Sequence, residues 1–153
     1  MMKFDKNIKL DDDLSFIPFQ FDGEKYYVQA FGNVSAGFPS PAEDFVGDRI
    51  SLDERYLSHP ESTFILEVGG LSMYPYYQLH DKLIVRSDLR ANHNDDIIVS
   101  VNNEKYTFKR YDKHNRKLVS LNPDYEKSIQ LLNTDHVMIL GVVSSMFRDI
   151  RLY

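Results

Sequence analysis

The chain has 153 residues, of which 42% are hydrophobic and 27% are charged, as in a soluble globular domain with a tail. Its formal net charge of −5 argues against a broad nucleic-acid surface, because phosphate contacts need clustered Lys and Arg. The chain has no cysteine, which excludes disulfides, thiolate metal sites and a Cys nucleophile.

The first 36 residues predict an extended arm. Met1–Leu10 alternates charged and apolar residues and lacks the apolar core of a signal peptide. Asp11–Asp13 indicates a solvated charge run, and Asp22-Gly23 is typical of a hairpin turn. The aromatic stretch Phe16–Phe21 needs a surface to cover, so we expect it to pack on its own domain or on a dimer partner.

Two capping patterns predict short helices after the arm. Ser40-Pro41-Ala42-Glu43 combines an N-cap, a proline at the first helical position and a capping-box Glu, and predicts a helix near Ala42–Val46. Ser51-Leu52-Asp53-Glu54 repeats the pattern, and its helix must end by His59-Pro60.

The rest of the chain predicts a mainly antiparallel β domain. Short apolar or alternating runs between Asn, Asp and His turns are typical of strands at Thr63–Val68, Lys82–Arg86, Ile97–Val101, Lys105–Tyr111, Lys117–Leu121, Ile129–Leu132 and Val137–Phe147. Val101–Glu104 and Tyr111–Asn115 are typical of hairpin connections, and Gly141 indicates a bulge or bend. The longest apolar run, Val137–Val143, falls far short of the roughly 20 residues that span a bilayer.

Candidate chemistry begins at a serine that follows two glycines. Gly69-Gly70 can turn the backbone tightly and leave the Ser72 N–H open to a substrate carbonyl. Lys109 follows 37 residues later, in a predicted strand where it shares one face with Lys105 and Thr107. A lysine pKa near 10.4 keeps the amine charged at pH 7, so a basic role requires burial. Taken singly, each motif also fits an ordinary surface turn or a solvent-facing strand lysine.

Together the two motifs resemble the Ser–Lys dyad of the LexA superfamily, in which a Gly-x-Ser-Met turn carries the nucleophile and a hairpin lysine deprotonates it. Asp81–Val85, Asp96–Val99 and Leu140–Val143 resemble strands of the same family, and the resemblance covers about residues 34–148. It implies a LexA C-terminal-domain-like, β-clip-type antiparallel domain with short N-terminal helices. It also implies that Ser72 is the nucleophile, that Lys109 is the general base, and that the backbone of Ser72 with that of Leu71 or Met73 holds the oxyanion.

A short segment resembles the self-cleavage site of this superfamily. Val34-Ser35-Ala36-Gly37 is similar to the family's Val-x-Ala-Gly segment, which is cut between Ala36 and Gly37 in this numbering. The ten residues Gly37–Val46 resemble the segment that follows the cut in UmuD proteins. The resemblance therefore implies an arm, residues 1–36, that autolysis removes, and a peptidase and dimerisation domain, residues 37–153. Cleavage within one chain and cleavage of a partner chain are both open.

A UmuD-like protein is implied to act in the SOS response, in the cytoplasm and without a cofactor or metal. Stimulated by a RecA–single-stranded DNA filament, a homodimer would cleave itself, and the product would join a UmuC-like, error-prone translesion polymerase. Related arms carry a similar aromatic patch, so a replication clamp is a further candidate partner of Phe16–Phe21. We expect neither specific duplex-DNA binding nor membrane association. The long apolar strand Val137–Phe147 is expected to contribute to the dimer, because an exposed apolar edge invites aggregation.

Departures and rivals bear on this interpretation. His80 and Asp95 stand where UmuD-like proteins often have Gly, although both residue types tolerate positive φ better than most. A catalytically silent dimeric scaffold is one rival. A LexA-like or phage-type repressor is another, but it needs a helix-turn-helix that 36 residues without helical periodicity do not provide. Ser72-Met73-Tyr74-Pro75 also resembles a box of type I signal peptidases, which carry a membrane anchor. The five histidines show no metal-ligand spacing.

Overall fold

The computed structural model describes residues 8–19, 23, 28–31, 46–125 and 128–151. Ten strands and one α-helix lie in these ranges, together with a 3-10 turn at Pro60–Ser62. In chain order they are β1 Leu14–Ile17, β2 Val28–Phe31, β3 Val46–Ile50, α1 Leu52–Tyr56, β4 Thr63–Val68, β5 Lys82–Arg86, β6 Asp96–Val101, β7 Thr107–Asp112, β8 Lys117–Val119, β9 Ile129–Gln130 and β10 Val137–Phe147.

Antiparallel pairing dominates, which confirms the predicted fold class. Eight strands form one sheet in the order β1-β4-β5-β10-β6-β7-β8-β9, and β2 pairs with β3 in a second sheet. The middle residues of β5 and the first five residues of β6 are buried, as expected for strands whose two faces are both covered. The predicted strand limits agree with the observed ones for β4, β5 and β10, and differ at the ends for the other predicted strands.

The N-terminal strap, which we define as residues 8–17, joins two strands that are separated in the sheet order. Leu14 pairs with Val68 of β4, and Leu10 forms a bridge with Tyr106 just before β7. Residues 10 and 14 can be at most about 14 Å apart along an extended chain. The sheet must therefore curl until the end of β4 and the start of β7 lie near each other.

Two predicted elements near the N-terminus fall mostly outside the described residues. Of residues 20–27, where a hairpin is expected to turn at Asp22-Gly23, only Gly23 is described, so the hairpin stays a prediction. β1 pairs with β4 and completes the edge of the large sheet, where Leu14 is buried, and β2 pairs with β3. Residues 42–45 of the helix predicted near Ala42–Val46 also lie outside the described residues, and Val46 itself begins β3.

The second predicted helix is confirmed. α1 spans Leu52–Tyr56, and the Ser51 hydroxyl accepts a hydrogen bond from the Glu54 N–H at 3.5 Å. Because Ser51 satisfies one of the N–H groups that a helix start leaves without partners, it fixes where the helix begins. Among the described residues, no helix has the length and apolarity needed to cross a membrane.

The longest strand, β10, lies inside the sheet. Its residues Val137–Val142 pair with β6, and its residues Val142–Phe147 pair with β5, so each neighbour covers about half of the strand. Met138, Ile139 and Phe147 are exposed, and the expected contribution of this strand to a dimer stays a prediction. The bulge predicted at Gly141 is confirmed by a register shift there. A Cβ at this position would lie 2.8 Å from the Arg86 carbonyl oxygen, which explains the glycine.

Several turns use residues in the left-handed region. Asn102 and Asn103 have φ of 54° and 62°, as a two-residue hairpin turn requires, and they connect β6 to β7 as predicted. His80 has φ of 71°, in keeping with its place where relatives often have Gly. In the turn that contains Asp95, the residue with a positive φ is Asn94, at 67°.

Candidate active site

Ser72 lies in the turn that follows β4. Its side chain is almost fully buried, and the next residue, Met73, is 1% exposed within the core cluster that also contains Phe108. The Ser72 hydroxyl makes no hydrogen bond within the described part of the chain. The turn is thus anchored in the core by Met73, directly after the serine.

The two glycines before Ser72 allow the N-terminal strap to approach the turn. The Gly69 N–H donates to the Asp13 carbonyl oxygen at 2.7 Å. A Cβ on Gly70 would overlap the Asp13 carboxylate, since it would lie 2.0 Å from Oδ1. Neither glycine has a positive φ. A Cβ on Gly69 would make only an ordinary contact, 3.5 Å from the Asp12 carbonyl oxygen, so close packing accounts for Gly70 and not for Gly69.

Lys109 lies in β7 and is partly buried, and its burial lowers the pKa of the amine. The carboxylates of Asp11 and Asp13 oppose this effect because their negative charge favours the charged amine. The Lys109 Nζ donates to Thr107 Oγ1 at 3.3 Å and to the Phe108 carbonyl oxygen at 3.2 Å. It makes no hydrogen bond to Ser72 here. Catalytic contacts are often long or unformed in the absence of a bound substrate.

The N-terminal strap brings acidic groups to this lysine. The Tyr106 N–H donates to the Lys9 carbonyl at 2.8 Å, and the Asp11 N–H donates to the Tyr106 carbonyl at 2.9 Å. Burial, followed by the negative charge of Asp13, raises the pKa of Asp11, while a hydrogen bond from Thr107 opposes the increase. The prediction of a solvated run is therefore correct only for Asp12, since Asp11 and Asp13 are partly buried.

The strap also places a cleft beside Lys109. This cleft, of about 640 Å³, is lined by Asp11, Asn103, Glu104, Lys105, Thr107, Lys109 and Ile129. Lys105, Thr107 and Lys109 therefore do share one face of the chain, as the alternation predicted. Ser72 is not among the lining residues of this cleft. Asp13 lies beside Gly70 in the serine turn, and its negative charge raises the pKa of Lys109.

Two polar clusters hold the segment that follows Ser72. The Tyr77 hydroxyl donates to Asp96 at 2.5 Å, and the same carboxylate accepts two hydrogen bonds from Arg110. Burial and the hydrogen bond to Asp96 raise the pKa of Tyr77, which keeps its hydroxyl protonated. The Tyr77 ring also packs edge-on against Phe108, with centroids 4.7 Å apart. Tyr77 therefore connects the serine turn to the strand that carries Lys109.

On the other side, Asp81 is fully buried and is bound by Arg148 through two hydrogen bonds of 2.8 and 2.7 Å. It also accepts a hydrogen bond from the Gln78 N–H at 2.8 Å. Burial alone would raise the pKa of Asp81, but these hydrogen bonds hold it below its ordinary value. Asp81 is thus a negatively charged carboxylate held in place at the end of the segment that follows Ser72.

One polar residue at the site was missed by sequence reasoning. Asn122 is buried after β8, its Nδ2 donates to the Leu71 carbonyl at 2.8 Å, and its N–H donates to the Ser72 carbonyl at 3.0 Å. In the sequence, Asn122-Pro123 is indistinguishable from an ordinary turn. The four residues of the predicted cleavage segment, Val34–Gly37, lie outside the described residues. Within the described residues, no cluster of His, Asp and Glu could hold a metal ion.

Comparison with known proteins finds relatives over most of the chain. A family model described as "Peptidase S24-like" matches residues 29–144. Protein MucA of Salmonella typhimurium is 34% identical over 122 residues, which is 78% of this chain and 80% of that protein.

Repressors are also similar to this chain. The LexA repressor of Staphylococcus epidermidis is 32% identical over 128 residues, covering 82% of this chain and 61% of the repressor. That of Bacillus pumilus is 33% identical over 126 residues, covering 80% of this chain and 59% of the repressor. The chain therefore matches only about three fifths of each repressor's length.

Proposed function

The chain belongs to the peptidase S24-like family of the LexA/UmuD superfamily, generally self-cleaving serine peptidases, and we propose that it cleaves its own Ala36–Gly37 bond. Ser72 is the nucleophile and Lys109 is the general base. The observation that carries this proposal is the partly buried Lys109, whose burial lowers its pKa, in a strand whose Phe108 packs in the same core cluster as Met73, the residue after Ser72. An exposed strand lysine would have no such reason to be neutral.

The reaction proceeds in two steps. The neutral Lys109 amine takes the proton of Ser72, and the serine oxygen attacks the Ala36 carbonyl carbon. Collapse of the tetrahedral intermediate breaks the Ala36–Gly37 bond, and Lys109 gives its proton to the departing Gly37 amine. Water, deprotonated by Lys109, then attacks the ester, Lys109 returns the proton to the departing Ser72 oxygen, and residues 1–36 are released with Ser72 and the neutral amine restored. Before the first step, the Lys109 amine must leave Thr107 and the Phe108 carbonyl and reach Ser72.

The chain is long enough for the scissile bond to reach the site. Gly37 precedes Ser51 by 14 residues, which can extend over roughly 45 Å. Small side chains at Ser35, Ala36 and Gly37 allow a close approach of the backbone to a largely buried serine. This reach is compatible with attack within one chain or between the chains of a dimer.

The cellular role is part of the same proposal. The UmuD-like segment Gly37–Val46 and the similarity to MucA favour a homodimer in the SOS response. Its cleavage is stimulated by a RecA–single-stranded DNA filament, and the shortened product is a subunit of a UmuC-like translesion polymerase. Cleavage and assembly with the polymerase take place in the cytoplasm. The replication clamp remains a candidate partner of the aromatic arm.

A silent dimeric scaffold is the second candidate. It is favoured by one observation, that Lys109 is bonded to Thr107 and Phe108 rather than to Ser72. A scaffold would keep the fold and the dimer but would cleave nothing, with or without a RecA filament.

Mass spectrometry of the protein incubated with a RecA–single-stranded DNA filament tests the choice. We expect faster cleavage than without the filament, and a larger fragment that begins at Gly37. Lys109→Ala should abolish cleavage near neutral pH. Lys105→Ala removes an exposed lysine from the same strand face and should leave cleavage largely intact. Equal cleavage by wild type and Lys109→Ala would refute the role of Lys109, and a wild type inert under all conditions would favour the scaffold.

A further inference from the structure

Asn122 contacts the backbone on both sides of Ser72. Its side-chain Nδ2 donates to the carbonyl of Leu71, and its own N–H donates to the carbonyl of Ser72. The residue is 7% exposed, so these bonds are largely shielded from water. The Leu71 carbonyl also accepts a hydrogen bond from the Tyr74 N–H at 3.1 Å. Asn122 therefore shares the Leu71 carbonyl with Tyr74 and holds the carbonyl of the next peptide unit through its own N–H.

The direction of a carbonyl determines the direction of the N–H in the same peptide unit. In a trans peptide the C=O and the N–H point to opposite sides of a planar group, and the two peptides here are trans. Holding the Leu71 carbonyl toward Asn122 turns the Ser72 N–H away from it. Holding the Ser72 carbonyl turns the Met73 N–H away in the same manner. Within the described part of the chain, neither N–H has an acceptor.

We propose that Asn122 is a positioning residue that aims the Ser72 and Met73 N–H groups at the oxyanion of the tetrahedral intermediate. This inference rests on the proposed self-cleavage. Two N–H donors with no acceptor of their own are what an oxyanion hole requires.

The orientation of the Asn122 amide is itself determined. Its Oδ1 accepts from the Asp124 N–H at 3.0 Å, and its backbone carbonyl accepts from the Tyr125 N–H at 3.1 Å. Rotating the amide by half a turn would set two donors against each other at Asp124 and two acceptors against each other at Leu71. The Nδ2 group therefore has one orientation in which every contact is made.

The substitution Asn122→Asp tests the proposal because it changes the donor and little else. The variant keeps the acceptor for Asp124 and the backbone N–H to Ser72, but it sets a carboxylate oxygen against the Leu71 carbonyl. We expect the maximal rate of self-cleavage at alkaline pH to fall about 100-fold, the size of effect seen when one oxyanion donor is lost. Because the added carboxylate could itself raise the pKa of Lys109, as Asp11 and Asp13 do, the pH profile is compared in Asn122→Ala, which adds no charge and should leave the pH of the rise where it is.

Asn133→Asp is the matched control. Asn133 is exposed, and its Oδ1 accepts from Arg116, a contact that an aspartate retains. This variant introduces the same charge elsewhere and should cleave like the wild type. Urea unfolding of both variants, in a Ser72→Ala background, shows whether the fold persists. The buried carboxylate lowers the unfolding midpoint in either case, so the rate is compared per folded molecule: a purely structural role leaves this rate at the wild-type value, whereas the positioning role lowers it.

A second variant covers the case in which Asn122→Asp does not fold. Asn122→Ala removes the side chain without adding a charge, retains the N–H to Ser72, and should cleave more slowly than wild type by about tenfold or more. A folded Asn122 variant that reaches the wild-type maximal rate would overturn the positioning role and leave the proposed self-cleavage standing. A wild type that never cleaves would overturn both.

Discussion

Met73→Ala is expected to destabilise the domain because this side chain anchors the serine turn in the core. Met73 is 1% exposed and packs in the cluster that contains Leu66 and Phe108. The substitution removes three buried heavy atoms, worth roughly 0.8 kcal/mol each. With the cavity that remains, we expect a loss of about 3 kcal/mol in the free energy of unfolding, inside the range of about 2–5 for such changes. In a domain of this size that loss lowers the Tm by about 6–12 °C.

Urea and thermal unfolding in a Ser72→Ala background measure this loss without interference from cleavage. Leu71→Ala is the matched control, because Leu71 flanks Ser72 on the other side and is 39% exposed. Its side chain is outside the core, so we expect a change within about 0.5 kcal/mol. Equal stabilities for the two variants would refute the view that Met73 fixes the turn.

Three further predictions concern charge. Replacing Asp11 and Asp13 with Asn removes two carboxylates that raise the pKa of Lys109, so the alkaline rise in cleavage rate should move to lower pH. The control Asp12→Asn should leave the pH profile unchanged, and an unchanged profile in the double variant would contradict the effect of the strap. Since burial lowers the pKa of Lys109, the unfolded chain binds more protons between that lowered pKa and 10.5. The stability of the Ser72→Ala protein relative to its Lys109→Met variant should therefore rise with pH through this window in urea unfolding, and a fall would count against burial of the amine. The pKa of Asp81 in the folded state is below 3.8, so the stability that its charged form contributes is present above that pH and is lost as the pH falls through the lowered pKa. The difference in unfolding free energy between the wild-type side chain and Asp81→Asn should therefore shrink on acidification, and a growing difference would contradict this.

Local patterns located most of the strands. β4 and β5 were predicted with their observed limits, because alternation and apolar runs depend only on neighbouring residues. The glycine pair and the lysine strand were found because each is a short motif and because their combination resembles a family. Asp96 begins β6 and Asp112 ends β7, each beyond the predicted limit of its strand. These limits were missed because aspartate does not favour a strand on its own.

Contacts distant in sequence could not be predicted from local patterns. Asp13 meets Gly70, and Asn122 binds Leu71 across 51 positions, although neither polar residue stands in a recognisable motif. An acidic run usually lies in solvent, but the curl of the sheet buries part of this one. The pairing of β1 with β4, about 50 residues further along the chain, is another such contact that no local pattern in the arm indicates.

The intact mass of the purified full-length protein during alkaline incubation tests the proposed self-cleavage most directly. We expect the full-length mass to be replaced by those of residues 1–36 and 37–153, faster as the pH rises toward the pKa of Lys109 and then at a constant rate. Ser72→Ala should stay intact at every pH, because no other group forms the acyl-enzyme. Cleavage of Ser72→Ala between Ala36 and Gly37, in a preparation free of contaminating protease, would contradict the proposed chemistry.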